Sequence, residues 1–228
     1  MITFIVTETR ENYERGGGHA VKIKLEKISG LPCLVQYYAG VTLKKIKALG
    51  IKAVVFSGYS TALDEHKLET FQGIYELARE GDLPMIGFCG GHQLIAELWA
   101  EHNDQKLTRM SSYPMRKLRK AEPDHNQNYH PGQFKEWGFY PIRIVRRDPL
   151  FDGLPNPFMA CEYHMREVKK LPRDFVLLAG TRSCRIQAYR HRSRPVYGAQ
   201  FHAENYTDHY PDGRKVVENF FKIAGIIA

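Results

Sequence analysis

The apolar positions of this chain fall into short runs, separated by stretches with helical spacing. Residues 2–7 (Ile-Thr-Phe-Ile-Val-Thr) form the first run and predict a buried strand. Residues 33–38, 53–56 and 85–88 predict three more. Between them, 41–49 has helical spacing with Gly50 as its stop. Residues 64–79 place Leu68, Phe71, Ile74, Tyr75 and Leu77 on one face of a helix, closed by Gly81 and Pro84. Residues 10–18 read as a polar loop ending in three glycines, and 21–25 fits a strand or a helix. Such alternation predicts a parallel sheet with helices on its faces.

The pattern breaks at 101–135, a charged stretch rich in His, Asn and Gln and punctuated by Pro114, Pro123 and Pro131. It predicts a polar insertion with little core of its own, inside a single domain spanning 1–228. Strands resume at 137–145, 158–163, 175–179, 186–189 and 196–201, with a short helix at 148–151. A last helix over 213–223 carries Val216, Val217, Phe220 and Phe221 on its apolar face.

The loop after the fourth run holds the clearest chemistry. Gly87-Phe88-Cys89-Gly90-Gly91 joins a strand to a helical pattern with a cysteine at the apex, the form of a nucleophile elbow. The flanking glycines suit a turn where a Cβ would meet strand or helix. A buried structural cysteine in a glycine-rich turn is the competing reading.

Composition narrows the field. Of 228 residues 43% are hydrophobic, enough for a sizeable core. The formal charge of +8 is unaccompanied by a nucleic-acid-binding motif, so a basic protein surface is preferred to a nucleic-acid site. Cys33, Cys89, Cys161 and Cys184 form no C-x-x-C pair, so neither a zinc knuckle nor a disulfide framework is suggested. His125 and His130 lack a carboxylate or thiol at ligand spacing, so no metal is expected. No run is long enough to cross a bilayer, and Met1 leads straight into a strand, so a soluble cytoplasmic protein is expected.

A cysteine nucleophile needs a base, and the base an orienting group. His202 directly follows an apolar strand, where open α/β sheets carry their sites, and Glu204 follows two residues later. With extended backbone between them, both side chains face one way.

Gly87-Phe88-Cys89-Gly90-Gly91-His92-Gln93 resembles the G-x-C-x-G-x-Q elbow of class I (triad-type) glutamine amidotransferases. Residues 197–204 (Tyr-Gly-Ala-Gln-Phe-His-Ala-Glu) resemble that family's Y-G-x-Q-F-H-P-E segment, and Ser57-Gly58-Tyr59-Ser60 stands where its S-G-G-P loop falls. The resemblance implies an α/β fold, flavodoxin-like and doubly wound, with a mostly parallel sheet and helices on both faces. It implies glutamine hydrolysis through a thioester on Cys89, with His202 as base, Glu204 as orienter, and no cofactor. Backbone N–H groups of Gly90 and of the Gly58–Tyr59 turn would hold the oxyanion. Gln93, Tyr163 and His164 would contact substrate, and a partner synthase would take the ammonia. No P-loop occurs, so nucleotide activation would belong to that partner.

Four positions depart from the family pattern. Tyr59 replaces a glycine, Tyr163 a serine, and Ser60 and Ala203 each a proline. The first two leave open a hydrolase for another γ-glutamyl or small amide, and a non-catalytic subunit retaining the fold is a third reading. The basic stretch Arg109 to Lys120 reads as a solvated loop, a lid or a dock for an anionic partner.

Overall fold

The computed structural model describes residues 1–16 and 18–228, so Gly17, in the expected glycine loop, lies outside the described residues. The first half alternates as expected: β1 (Ile2–Val6), α1 (Arg10–Glu14), α2 (His19–Ser29), β2 (Cys33–Tyr37), α3 (Leu43–Ala48), β3 (Val54–Phe56), α4 (Gln72–Glu80), β4 (Met85–Phe88) and α5 (Gly90–Leu98). The second half adds β5 (Glu136–Ile144), β6 (Phe158–His164), β7 (Phe175–Gly180), β8 (Ala188–His191), β9 (Val196–Ala199) and α6 (Asp212–Ile223).

One sheet runs in the order β2-β1-β3-β4-β9-β8-β7-β5-β6. Strands β2, β1, β3, β4 and β9 are parallel, and the pairings from β9 to β6 are antiparallel. The expected mostly parallel sheet is therefore a mixed one. Chain length explains the change: residues 192–195 link β8 to β9 and 181–187 link β7 to β8, too few for a crossover. Two cores flank the sheet. Phe4, Val6 and Ile86 pack with Leu25 of α2 and Val216, Phe220 and Phe221 of α6. On the other face Ile5, Val54 and Phe56 pack with Ile46 of α3, Ile74 of α4 and Leu94 and Ile95 of α5. Among the described residues, no helix is long and apolar enough to cross a membrane.

Two local expectations change and one open alternative is settled. Residues 10–14 form a helix because Thr9 accepts the Asn12 N–H with its side chain, an N-cap. The 21–25 stretch is helical, inside α2, which stops at Gly30 with φ 67°. The single helix expected over 64–79 is broken into two short 3₁₀ turns ahead of α4. Buried Tyr38 causes the break: its hydroxyl bonds His66 Nδ1 (3.0 Å) and Thr70 Oγ1 (2.8 Å), holding that segment against the core.

The 101–135 segment has only a 3₁₀ turn at Glu101–Asn103 and isolated bridges, yet it is pinned down. Met110 and Met115 are buried. Arg116 holds Glu122 with two nitrogens, at 2.6 and 2.8 Å. The fully buried Lys135 ammonium donates to Asp124 at 2.6 Å.

Candidate active site

Cys89 alone makes the turn between β4 and α5, at φ 48° and ψ −102°. A residue with a Cβ rarely adopts this backbone, and it persists only where strand and helix over-determine it. Gly91 permits the close helix–sheet approach: a Cβ there would lie 2.7 Å from both the Cβ and the carbonyl oxygen of Phe56. The Cys89 N–H donates to Ala199 O at 2.8 Å, tying the elbow to β9.

Strand register then brings His202 to the sulfur. Phe88 pairs with Ala199, so the chain beyond β4 and the chain beyond β9 emerge together at the C-terminal edge of the parallel strands. The His202 N–H donates to Cys161 O at 2.8 Å, which fixes the start of the next turn. That turn, Ala203–Asn205, is 3₁₀ rather than the extended backbone expected for His-x-Glu. Glu204 still reaches back, its Oε1 2.7 Å from His202 Nδ1. Lys24 of α2 clamps the turn by donating to the carbonyls of Glu204 (2.7 Å) and Tyr206 (3.1 Å). Burial disfavours the His202 cation, but the Glu204 carboxylate and the Cys89 sulfur outweigh it and hold the imidazole pKa well above its ordinary value.

The 57–61 loop closes the third side. Ser57 Oγ accepts the Thr7 N–H at 3.0 Å and donates to Gly58 O at 2.6 Å, fixing the peptide between Gly58 and Tyr59. A Cβ on Gly58 would fall 2.9 Å from His202 Cε1 and 3.5 Å from Cys89 Cβ, so only glycine lets this backbone touch both. Cys89, His202, Glu204, Gly58 and Tyr59 border one cavity of about 490 Å³. Another cavity, of about 280 Å³, lies beyond Gln93 and touches neither Cys89 nor His202.

The remaining candidates separate. Gln93 is buried beside the elbow; its amide donates to Arg166 O (3.0 Å) and Gln200 Oε1 (3.2 Å). Tyr163 turns its ring into the open cleft, 39% exposed, while its carbonyl lies 4.0 Å from the Cys89 sulfur. His164 borders the same small space as Gln93, but its ring points into a buried network. There Nδ1 donates to Arg166 O (2.9 Å), and Nε2 lies 3.0 Å from Glu136 and 3.1 Å from Glu162. Burial opposes the His164 cation, and the two carboxylates overcome it, raising its pKa well above the usual value. Glu136, His164 and Cys184 offer ligand atoms within 4.8 Å of one another, the one such grouping among the described residues. Thr181 and Gln187 already donate to Glu136, so the cluster is arranged as an ion network.

Three further residues of the site have no role assigned from the sequence, Gln200 among them although it stands inside the 197–204 motif. Gln200 directs its amide to the Cys89 sulfur at 3.7 Å. Trp137 packs on Tyr163, opposite it in the β5–β6 pairing, at 4.9 Å between centroids. Tyr129, from the 101–135 segment, stands 5.7 Å from Trp137 and completes an aromatic wall. Strand alternation could have flagged Trp137 beside Tyr163; no local signal marks Tyr129.

Residues 29–224 match the family described as glutamine amidotransferase class-I. The glutamine-hydrolysing GMP synthase subunit of Thermococcus kodakarensis is 34% identical over 183 residues, 80% of this chain and 81% of its own. Its counterpart from Pyrococcus furiosus is 33% identical over the same coverage. A Thermoplasma acidophilum crystal structure superposes with TM-score 0.71 at 22% identity, covering 99% of this chain and 94% of that one. The glutaminase domain of Trypanosoma brucei CTPS with bound acivicin gives 0.66 at 14% identity, with the same coverage, a likeness of fold alone. The chain belongs to the class-I glutamine amidotransferase family.

Proposed function

We propose that this protein hydrolyses the side-chain amide of glutamine and passes the ammonia to a partner synthase. The observation that carries it is the meeting of the elbow sulfur with an imidazole whose Nδ1 is 2.7 Å from Glu204. The relatives named glutamine-hydrolysing subunits of GMP synthase support both the substrate and the existence of a synthase partner.

In this reading His202 takes the Cys89 proton and the sulfur attacks the amide carbon. Backbone N–H groups of Gly90 and of the Gly58–Tyr59 turn hold the oxyanion, each worth a few kcal/mol. His202 then returns the proton to the departing ammonia. Water, deprotonated by His202, hydrolyses the glutamyl thioester and frees glutamate. Glu204 fixes the imidazole tautomer and steadies its cation. We also read the five parallel strands with their flanking helices as a flavodoxin-like doubly wound unit, and 1–228 as one domain.

The test is ammonia release from glutamine, with and without a candidate partner synthase. Cys89→Ala is expected to lower turnover by roughly 10⁴-fold or more while leaving the circular dichroism spectrum unchanged. Equal ammonia release from wild type and Cys89→Ala would sink the reading.

A further inference from the structure

The sulfur of Cys89 has two very different sides. One opens into the 490 Å³ cleft walled by Tyr129, Trp137 and Tyr163. The other faces a space of about 10 Å³ bordered by Tyr59, Gln93, Tyr163, His164 and Arg166. That volume holds about one water molecule and no amino acid. Yet this inner space is where Gln93 lies, the elbow glutamine expected to hold substrate.

Tyr59 is what fills it. Its hydroxyl donates to Gln93 Oε1 at 2.6 Å. Its ring lies on the elbow backbone: a Cβ built on Gly90 would meet Tyr59 Cδ1 at 2.1 Å. Both amide hydrogens of Gln93 are already given to Arg166 and Gln200. Gln93 therefore keeps only its acceptor oxygen for a substrate, and Tyr59 occupies that oxygen while it stays in place. Burial pushes the Tyr59 hydroxyl pKa up, so it remains a neutral donor.

The segment carrying Tyr59 is held at both ends by the short stretch Thr7–Glu8 just past β1. Its base is fixed to β1 through Ser57 and Thr7. Beyond Tyr59, Ser60 Oγ and Thr61 Oγ1 donate to the Glu8 carboxylate, at 2.9 and 3.3 Å. Gly58 lies between and is held by the Ser57 hydroxyl, so the backbone is fixed and the mobile part is the Tyr59 side chain.

We propose that Tyr59 is a gate residue that sets access of glutamine to the Gln93 side of Cys89. The closed state is the one described here, latched by the Tyr59–Gln93 bond; a change of the Tyr59 side-chain rotamer withdraws the ring and frees the Gln93 acceptor oxygen, while Ser57 keeps the Gly58–Tyr59 peptide in place. This deepens the glutamine reading and rests on it. The latch scales apparent affinity down to the fraction of molecules open, so its loss acts on KM.

Two variants and two readouts test it. Tyr59→Phe keeps the ring and removes the latch, and is expected to lower KM for glutamine by roughly 5-fold, the equivalent of one neutral hydrogen bond. Tyr59→Gly removes the gate and should lower KM further. A glutamine-shaped diazoketone should then label Cys89 at least tenfold faster than in wild type. Iodoacetamide, small enough to enter through the open cleft, should label all three proteins at similar rates. Thermal melts and the Phe variant guard against misfolding of the Gly variant. If glutamine is hydrolysed but KM and diazoketone labelling are unchanged in both variants, the gate is wrong and the glutaminase reading stands. The gate is also wrong if kcat falls at constant KM, or if both reagents accelerate equally, since Tyr59 then acts on the chemistry itself. If no variant, with or without a partner synthase, releases ammonia or takes the diazoketone, both ideas fail together.

Discussion

Glu204 shows how one side chain sets the character of another. Its carboxylate, with the Cys89 sulfur, raises the His202 pKa against the effect of burial. Glu204→Gln is expected to lower that pKa, visible as an earlier midpoint in an NMR titration of the His202 ring. Turnover should fall by up to about 10⁴-fold, as when the orienting group of a triad is neutralised. Two of the three residues involved stand out in the sequence because each ends an apolar strand, at Cys89 and His202. The contact between Tyr59 and Gln93 joins residues 34 apart that no spacing connects, and is illegible there. His164 reads as a substrate contact from a motif position, whereas its ring partners, Glu136 and Glu162, are set by the pairing of β5 with β6.

Whole elements are more legible than their ends. The strands can be read because each is a compact apolar run. The 64–79 stretch reads as one helix because its apolar spacing is genuine, and a tertiary bond from Tyr38 overrides it. The elbow depends on the fit of two elements. Gly91→Ala should push α5 away from Phe56, destabilising by about 1–3 kcal/mol as an overpacked contact. Chemical denaturation would reveal this as a lower midpoint at constant slope. The 101–135 segment reads as a polar insertion, and the ion pairs that order it explain its few helical or strand residues. Arg116 and the Arg119 N–H pull the Glu122 pKa down to about 2, and Lys135 and the Gly132 N–H lower that of Asp124. Depressed carboxylates contribute stability above their unfolded pKa, and it is lost as pH falls through the folded value. Amide exchange in this segment should accelerate between about pH 4.5 and 2, ahead of exchange in β1 and β3. Uniform exchange across the chain in that window would contradict this.

At the scale of the molecule, the buried Glu136–His164–Glu162 network joins β5 and β6 behind the site. Removing its cation leaves buried carboxylates uncompensated, so His164→Ala should cost about 3–5 kcal/mol. A thermal melt would register this as a loss on the order of 10 °C. The sign with pH follows from two raised values. Burial, outweighing its His164 neighbour, raises the Glu162 pKa above 4.5, and the carboxylates raise that of His164 above 6.5. Both contributions are complete at low pH. The Glu162 part is lost from about 4.5 upward and the His164 part from about 6.5, until each folded pKa is passed. Wild type should lose more stability than Glu162→Gln between neutral and alkaline pH, measured by denaturant titration.

Strand β9 is the seam of this molecule, parallel to β4 on one side and antiparallel to β8 on the other. The pairing of Phe88 with Ala199 on that seam decides whether sulfur and imidazole meet. A slip of one residue would turn the side chains of β9 to the opposite face and part the two groups. A misregistered chain is then silent rather than wrongly specific. Activity regained on refolding becomes a count of correctly threaded sheets, and the reaction serves as the fold's own proofreader.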